Sequence, residues 1–164
     1  VSSPLPVEVP GLTGATAISA GTHHACAVAN AEVWCWGYNG LGQLGDGTTS
    51  ERAGPVKVQG LGGAAVSVAA GADHTCAQTT AGVKCWGSNA VGQLGDGTTT
   101  SSAVPRSVIG IGPAARSLTA SPYLRTCVVD AGVVKCWGSL FANPNRAGVP
   151  YYTVTPTPKI ISGI

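Results

Sequence analysis

The sequence predicts an all-β protein, a β-propeller with three blades of about 50 residues plus a strand of a fourth. Three observations carry that prediction. The six cysteines fall into three pairs with one spacing, Cys26 and Cys35, Cys76 and Cys85, Cys127 and Cys136. The text around them recurs: Trp-Gly follows each second cysteine at Trp36, Trp86 and Trp137, and "GQLGDGTT" stands at both 42–49 and 92–99. Between these marks lie only short apolar stretches broken by Gly, Pro and Asn, and no window supports a helix of three turns.

Taken in order, each unit opens on a proline and an apolar patch: "PVEVPGL" at 6–12, "PVKVQGL" at 55–61 and "PRSVIGI" at 105–111. "PKIISGI" at 158–164 reads as the opening of one more. The units are therefore set at 4–53, 54–103 and 104–156, with a partial fourth at 157–164. Short strands follow each opening, as in "ATAISA", "AVSVAAG", "HTCAQT" and "GVKCWG". "CAVANAEVWC" reads as a hairpin centred on Asn30–Ala31, which sets Val28 opposite Val33, Ala27 opposite Trp34 and Cys26 opposite Cys35. Opposed residues of an antiparallel pair are close enough for a disulfide. The expected bridges are Cys26–Cys35, Cys76–Cys85 and Cys127–Cys136, each fixing its hairpin's register. Zinc ligand pairs usually stand two to four residues apart, so this spacing argues against a metal site. Three such bridges point to an oxidising compartment, hence a secreted or cell-surface protein.

The third unit departs from the pattern. "SLFANPNRAG" at 139–148 replaces "SNAVGQLGDG" at 88–97, and Arg125 stands where His24 and His74 stand. Charged residues make up 10% of the chain, with a net charge of +2 and scattered basic residues, which argues against a phosphate-tracking nucleic-acid surface. No run of 18 apolar residues exists to cross a membrane.

"CWGYNGLGQLGDGT" at 35–48 and "CWGSNAVGQLGDGT" at 85–98 resemble the repeats of the regulator of chromosome condensation family. Cysteine pairs at this place resemble that family's exported bacterial branch. The resemblance implies four-stranded antiparallel blades, usually seven to a ring. Three units cannot close such a ring, so the expected solution is a homodimer, with a second copy completing a six-bladed ring and the fourth strand exchanged between blades; the alternatives are a piece of a longer propeller and an unusual monomer.

The candidate residues follow from this frame. Asp46 and Asp96 lie in Asp-Gly turns and read as structural. Gln43 and Gln93, polar between glycines, read as bonding backbone between blades. His24, His74 and Arg125 occupy matching positions and form a ligand set if those strands line a central channel. Non-repeated aromatics are better contact candidates than repeated ones: Trp34 stands where Lys84 and Lys135 stand, Tyr38 where Ser88 and Ser139 stand, and Tyr151 and Tyr152 lie in the remodelled connection. No nucleophile elbow, dinucleotide loop or EF-hand spacing is present, and no cofactor or metal is expected. The function expected is a secreted protein-binding or scaffolding module without catalytic activity. Its partner would be another protein or a second copy, with no nucleic acid and no membrane. The alternatives are a carbohydrate- or small-ligand-binding propeller and, behind it, a hydrolase with an axial active site.

Overall fold

The computed structural model describes residues 4–141 and 152–161. Twelve strands form three four-stranded antiparallel sheets, each an up-and-down meander in chain order. Blade 1 contains β1 (Ala15–Ala20), β2 (His24–Ala29), β3 (Glu32–Gly37) and β4 (Arg52–Lys57). Blade 2 contains β5 (Ala65–Ala70), β6 (His74–Thr79), β7 (Gly82–Gly87) and β8 (Ser102–Ser107). Blade 3 contains β9 (Arg116–Ser121), β10 (Arg125–Asp130), β11 (Val133–Phe141) and β12 (Tyr152–Ile160). Strand β5 lies between β1 and β9, so the first strand of each blade is the innermost. Among the described residues no helix is long and apolar enough to cross a membrane.

The central hairpins carry the register read from the sequence. Cys26 pairs with Cys35, Ala27 with Trp34 and Val28 with Val33, and the same pattern recurs in blades 2 and 3. All three bridges form, with Cα separations of 4.1, 4.0 and 4.1 Å. The Asn30–Ala31 turn needs positive φ at both residues, and both adopt it, at 51° and 61°.

Blade boundaries differ from the sequence units. Each proline-led segment read as a unit's opening is the outer strand of the blade before it. "PVK" at 55–57 ends β4, and "PR" at 105–106 lies in β8. Residues 157–160 accordingly belong to β12, which pairs with β11 and completes blade 3 rather than beginning a fourth. Proline lacks the N–H a central strand must donate, and an outer strand tolerates that loss. Residues 6–12, the first copy of this segment, form no strand.

The hydrophobic core lies between the blades. One cluster joins Cys26, Val28, Cys35, Leu44 and Val58 to Val68, Ala77 and Trp86 of blade 2. A second joins Cys76, Cys85, Leu94 and Val108 to Val128 and Trp137 of blade 3. The physical reason is strand alternation: in each hairpin the cysteines point to one face and the tryptophan to the other. Each seam therefore meets the disulfide face of one blade with the tryptophan face of the next. Among the described residues, three blades make an open arc with no blade on the outer face at either end, a shape that a second copy or further blades would complete.

Candidate functional site

The seams place most of the polar residues singled out by the sequence. In the first seam, Thr75 Oγ1 donates to the Gln43 carbonyl oxygen at 2.8 Å, and Trp86 Nε1 donates to the same oxygen at 2.9 Å. With its hydroxyl proton committed, Thr75 Oγ1 accepts from His24 Nε2–H at 2.8 Å. The second seam repeats the arrangement. Thr126 Oγ1 and Trp137 Nε1 reach the Gln93 carbonyl at 3.2 and 2.9 Å, and His74 Nε2 reaches Thr126 at 3.0 Å. This count fixes the tautomer: Nε2 carries the proton, and Nδ1 of each ring is buried without a partner. Burial lowers the pKa of His24 to about 4, with Asp73 opposing and His23 adding to the fall. Burial, with His24 adding, takes His74 to about 4 as well. Both rings are neutral at pH 7.

His24 and His74 are thus buried braces between blades, not groups facing an open channel. Each ring stands over a glycine three residues earlier. A Cβ on Gly21 would meet His24 Nδ1 at 2.7 Å, and one on Gly71 would meet His74 Cε1 at 2.2 Å. The third unit has Pro122 in that place and Arg125 in place of the histidine, so ring and glycine are lost together. Arg125 Nε instead donates to the Ser139 carbonyl at 3.1 Å. His24, His74 and Arg125 are therefore spread over successive blades, the two rings bonded to the next blade and Arg125 to its own.

The repeated loops are cages rather than open sites. Buried Asn39 takes the Leu44 N–H on Oδ1, and its Nδ2 lies 3.0–3.3 Å from Asp46, Thr48 and Ser50 oxygens. Asn89 does the same in the second loop. Asp46 binds the amide and hydroxyl of Thr48 and takes two bonds from Arg52, at 3.0 and 3.1 Å. Burial pushes the Asp46 carboxyl up, but the bonds from Thr48, Arg52 and Asn39 outweigh it and hold the pKa below the usual value. Asp96 keeps the Thr98 and Asn89 bonds but has no arginine pair, since Ser102 replaces the arginine. Gln43 and Gln93 use their side-chain oxygens inside the loop, on the Leu41 and Val91 amides. Their backbone carbonyls make the contact between blades. Among the described residues no cluster of three or more His, Cys, Asp or Glu forms a metal site.

What remains unabsorbed is the outer face of blade 1. Trp34 and Trp36 are two residues apart on β3 and share that face. Trp34 opposes Ala27, which in turn opposes Ile18 on β1. Ile18 is 71% exposed, whereas its counterpart Val68, inside a seam, is 8% exposed. Trp36 is half-buried, whereas Trp86 and Trp137 are fully buried. Ala25 occupies the position of Thr75 and Thr126, so this face has lost the polar brace. Sequence reasoning picked Trp34 for being unrepeated but missed Ile18 and Ala25. Aligning the residue before each first cysteine (Ala25, Thr75, Thr126) would have shown the difference. Tyr38 lies elsewhere, exposed beside His23, with ring centroids 6.4 Å apart and edge-on. Tyr152 begins β12. Tyr151 lies outside the described residues. The opposite end of the arc is also apolar: Val134 is 41% exposed, whereas its counterpart Val33 is buried.

Comparison with known proteins places this architecture. The family model "Regulator of chromosome condensation (RCC1) repeat" matches residues 30–78, and a second model of the same description matches 65–93. Residues 30–93 thus match RCC1 repeats. A secretion-regulating guanine nucleotide exchange factor of Bos taurus is 45% identical over 56 residues, which are 34% of this chain and 12% of that protein. The crystal structure of human WBSCR16 superposes with a TM-score of 0.77 at 25% identity, covering 92% of this chain and 39% of that one. Prp20p of Saccharomyces cerevisiae, described with its binding to Gsp1p and histones, superposes at 0.72 with 19% identity, covering 93% and 39%. The chain thus spans well under half the length of these proteins, and its three blades match part of their folds.

Proposed function

We propose that the chain is a protein-binding or scaffolding propeller module of an oxidising compartment, secreted or at the cell surface, without a catalytic centre of its own. The observation that carries this reading is the face of blade 1. There Ile18 is exposed and Trp36 half-buried, where Val68, Trp86 and Trp137 are buried in the internal seams, and the half-buried Trp34 shares their face. Aromatic residues on an apolar patch are typical anchors of protein interfaces. The repeated polar residues, by contrast, are consumed by caging loops and bracing seams. The three bridges support the compartment. Protein binding is also described for Prp20p, part of whose fold this chain resembles.

A second copy is a poorer fit than another protein. Head-to-tail copies would oppose Ala25 with Arg125, where internal seams set Thr against His. The test is photo-crosslinking in the native source. A photoreactive residue at position 18 is expected to capture a discrete protein, and one at the exposed Tyr123 is not. The captured protein, purified, is expected to bind the chain and to lose affinity for Trp34→Ser. Capture of glycans alone, or equal capture from both positions, would refute the reading.

A further inference from the structure

The basic residues are scattered along the sequence, yet strand direction gathers them on one broad side of the blades. The hairpin turns of β2–β3, β6–β7 and β10–β11 lie on that side, and the long loops 38–51 and 88–101 lie on the other. Lys57 closes β4, Arg106 is fifth of six residues in β8, and Lys159 is next to last in β12; these strands run toward the turn side. Lys84 is third in β7, Arg116 opens β9, and Lys135 is third in β11; these strands run away from it. All of these cations thus occupy the turn-side half of their strands, where the acids are Glu32 and Asp130. The loop side has the opposite balance, with Asp46, Glu51, Asp73 and Asp96 against Arg52 and Arg125.

Both turn-side acids are spent. Glu32 pairs with Lys57, and Asp130 pairs with Lys135 at 2.7 Å. Among the described residues Lys84, Arg106, Arg116 and Lys159 have no acidic partner. Lys84 donates to the Gly60 carbonyl at 3.4 Å, beside a cleft of about 310 Å³ between Ala31–Glu32 and the loop 58–63. The same side exposes apolar residues: Val66 near the start of β5, Ile109 just after β8, and Val133 at the start of β11. The exposed tyrosines Tyr38 and Tyr123, which could stack on a base, stand on the loop side. Cations set among apolar residues, with no stacking platform, fit a protein surface rather than a nucleic-acid strand.

We propose that the turn side docks an acidic segment of another protein, whose carboxylates pair with Lys84 and Arg116 and whose apolar residues meet Val66 and Ile109. Lys84 and Arg116 belong to neighbouring blades, so one segment lying across the second seam reaches both. The loop side, with its excess of acids, repels the same segment and fixes which side it approaches. This surface is separate from the outer face of blade 1 and goes beyond the protein-binding reading, which stands on that face.

The experiment is fluorescence anisotropy of a rhodamine-labelled peptide, rich in glutamate and containing leucine, titrated with the oxidised chain. Saturable binding is expected. Raising salt from about 0.1 to about 1 M shortens the screening length from about 10 to about 3 Å and should abolish it. Lys84→Gln combined with Arg116→Gln is expected to weaken binding roughly tenfold, the worth of two good surface ion pairs. Lys84→Arg should keep the affinity, which separates a lost charge from a lost fold. Asp73→Asn, on the loop side, should leave it unchanged. No saturable binding, equal binding by the double variant, or an effect of Asp73→Asn as large as that of Arg116→Gln alone would overturn the proposal, the last because net charge would then be the cause. Tighter binding of single-stranded DNA or heparin than of the peptide, through the same residues, would overturn the choice of partner. Failure on any of these counts leaves capture at position 18 untouched, because that reading rests on the face of blade 1.

Discussion

Thr75→Val tests the seam brace with a change of one functional group. Valine keeps the volume and the β-branch, so packing on the Trp86 side is retained. Two bonds are lost, from the hydroxyl to the Gln43 carbonyl at 2.8 Å and from His24 Nε2–H to the hydroxyl at 2.8 Å. The Gln43 carbonyl still receives Trp86 Nε1, so its loss is a bond of about 1 kcal/mol. His24 fares worse. Its buried N–H is left with no acceptor, at a cost of about 1–3 kcal/mol. The sum is about 3 kcal/mol, which for a chain of this length lowers Tm by roughly 6–12 °C. Scanning calorimetry of the oxidised protein at pH 7 reads it directly. Thr126→Val should cost a similar amount in the second seam. A loss below about 0.5 kcal/mol at both sites would refute the reasoning, because it would mean that neither hydroxyl braces its histidine.

Acid should loosen the same seams. Both imidazoles have folded pKa values below the unfolded value of 6.5, near 4, so the unfolded chain binds more protons between those limits. Stability is then full above about pH 7 and falls as pH drops through 6.5 toward 4, by about 2 kcal/mol per histidine at pH 5. Urea midpoints from pH 8 to 5 check it, and a flat profile would contradict the burial of these rings. Ala31→Gly should stabilise by about 0.5–1 kcal/mol, since alanine there holds φ at 61°; denaturant melts read the gain. Asp46→Asn should cost more than Asp96→Asn, by about 1 kcal/mol, because only Asp46 carries the Arg52 pair with a carboxylate that is 7% exposed; the two melts are compared side by side.

The fold was legible because each unit repeats its chemistry at one spacing. The cysteine pairs and the Asn30–Ala31 turn fixed the hairpin register to the residue, and the bridges followed from it. Blade boundaries were not legible. The proline-led segments mark a period equally well as the first or last strand of a unit, and only the pairing of β4 with β3 and β12 with β11 decides. The role of the histidines was half visible. Their position was clear, but the threonine that binds each ring lies 51 or 52 residues away in the next blade. A strand pattern gives the face of a side chain but not which blade that face meets. Trp34 could be singled out as unrepeated. That it shares a face with Trp36 and Ile18 follows from the register, and that this face is uncovered follows only from the arc.

The most direct test of the account is hydrogen exchange of the four indole N–H groups in the isolated oxidised chain. Trp86 and Trp137 donate to backbone carbonyls inside seams, and Trp34 and Trp36 stand on the open face. The account predicts two slowly exchanging indoles, Trp86 and Trp137, and two fast ones. Protection of Trp36 equal to that of Trp86, or fast exchange at Trp86 and Trp137, would contradict it.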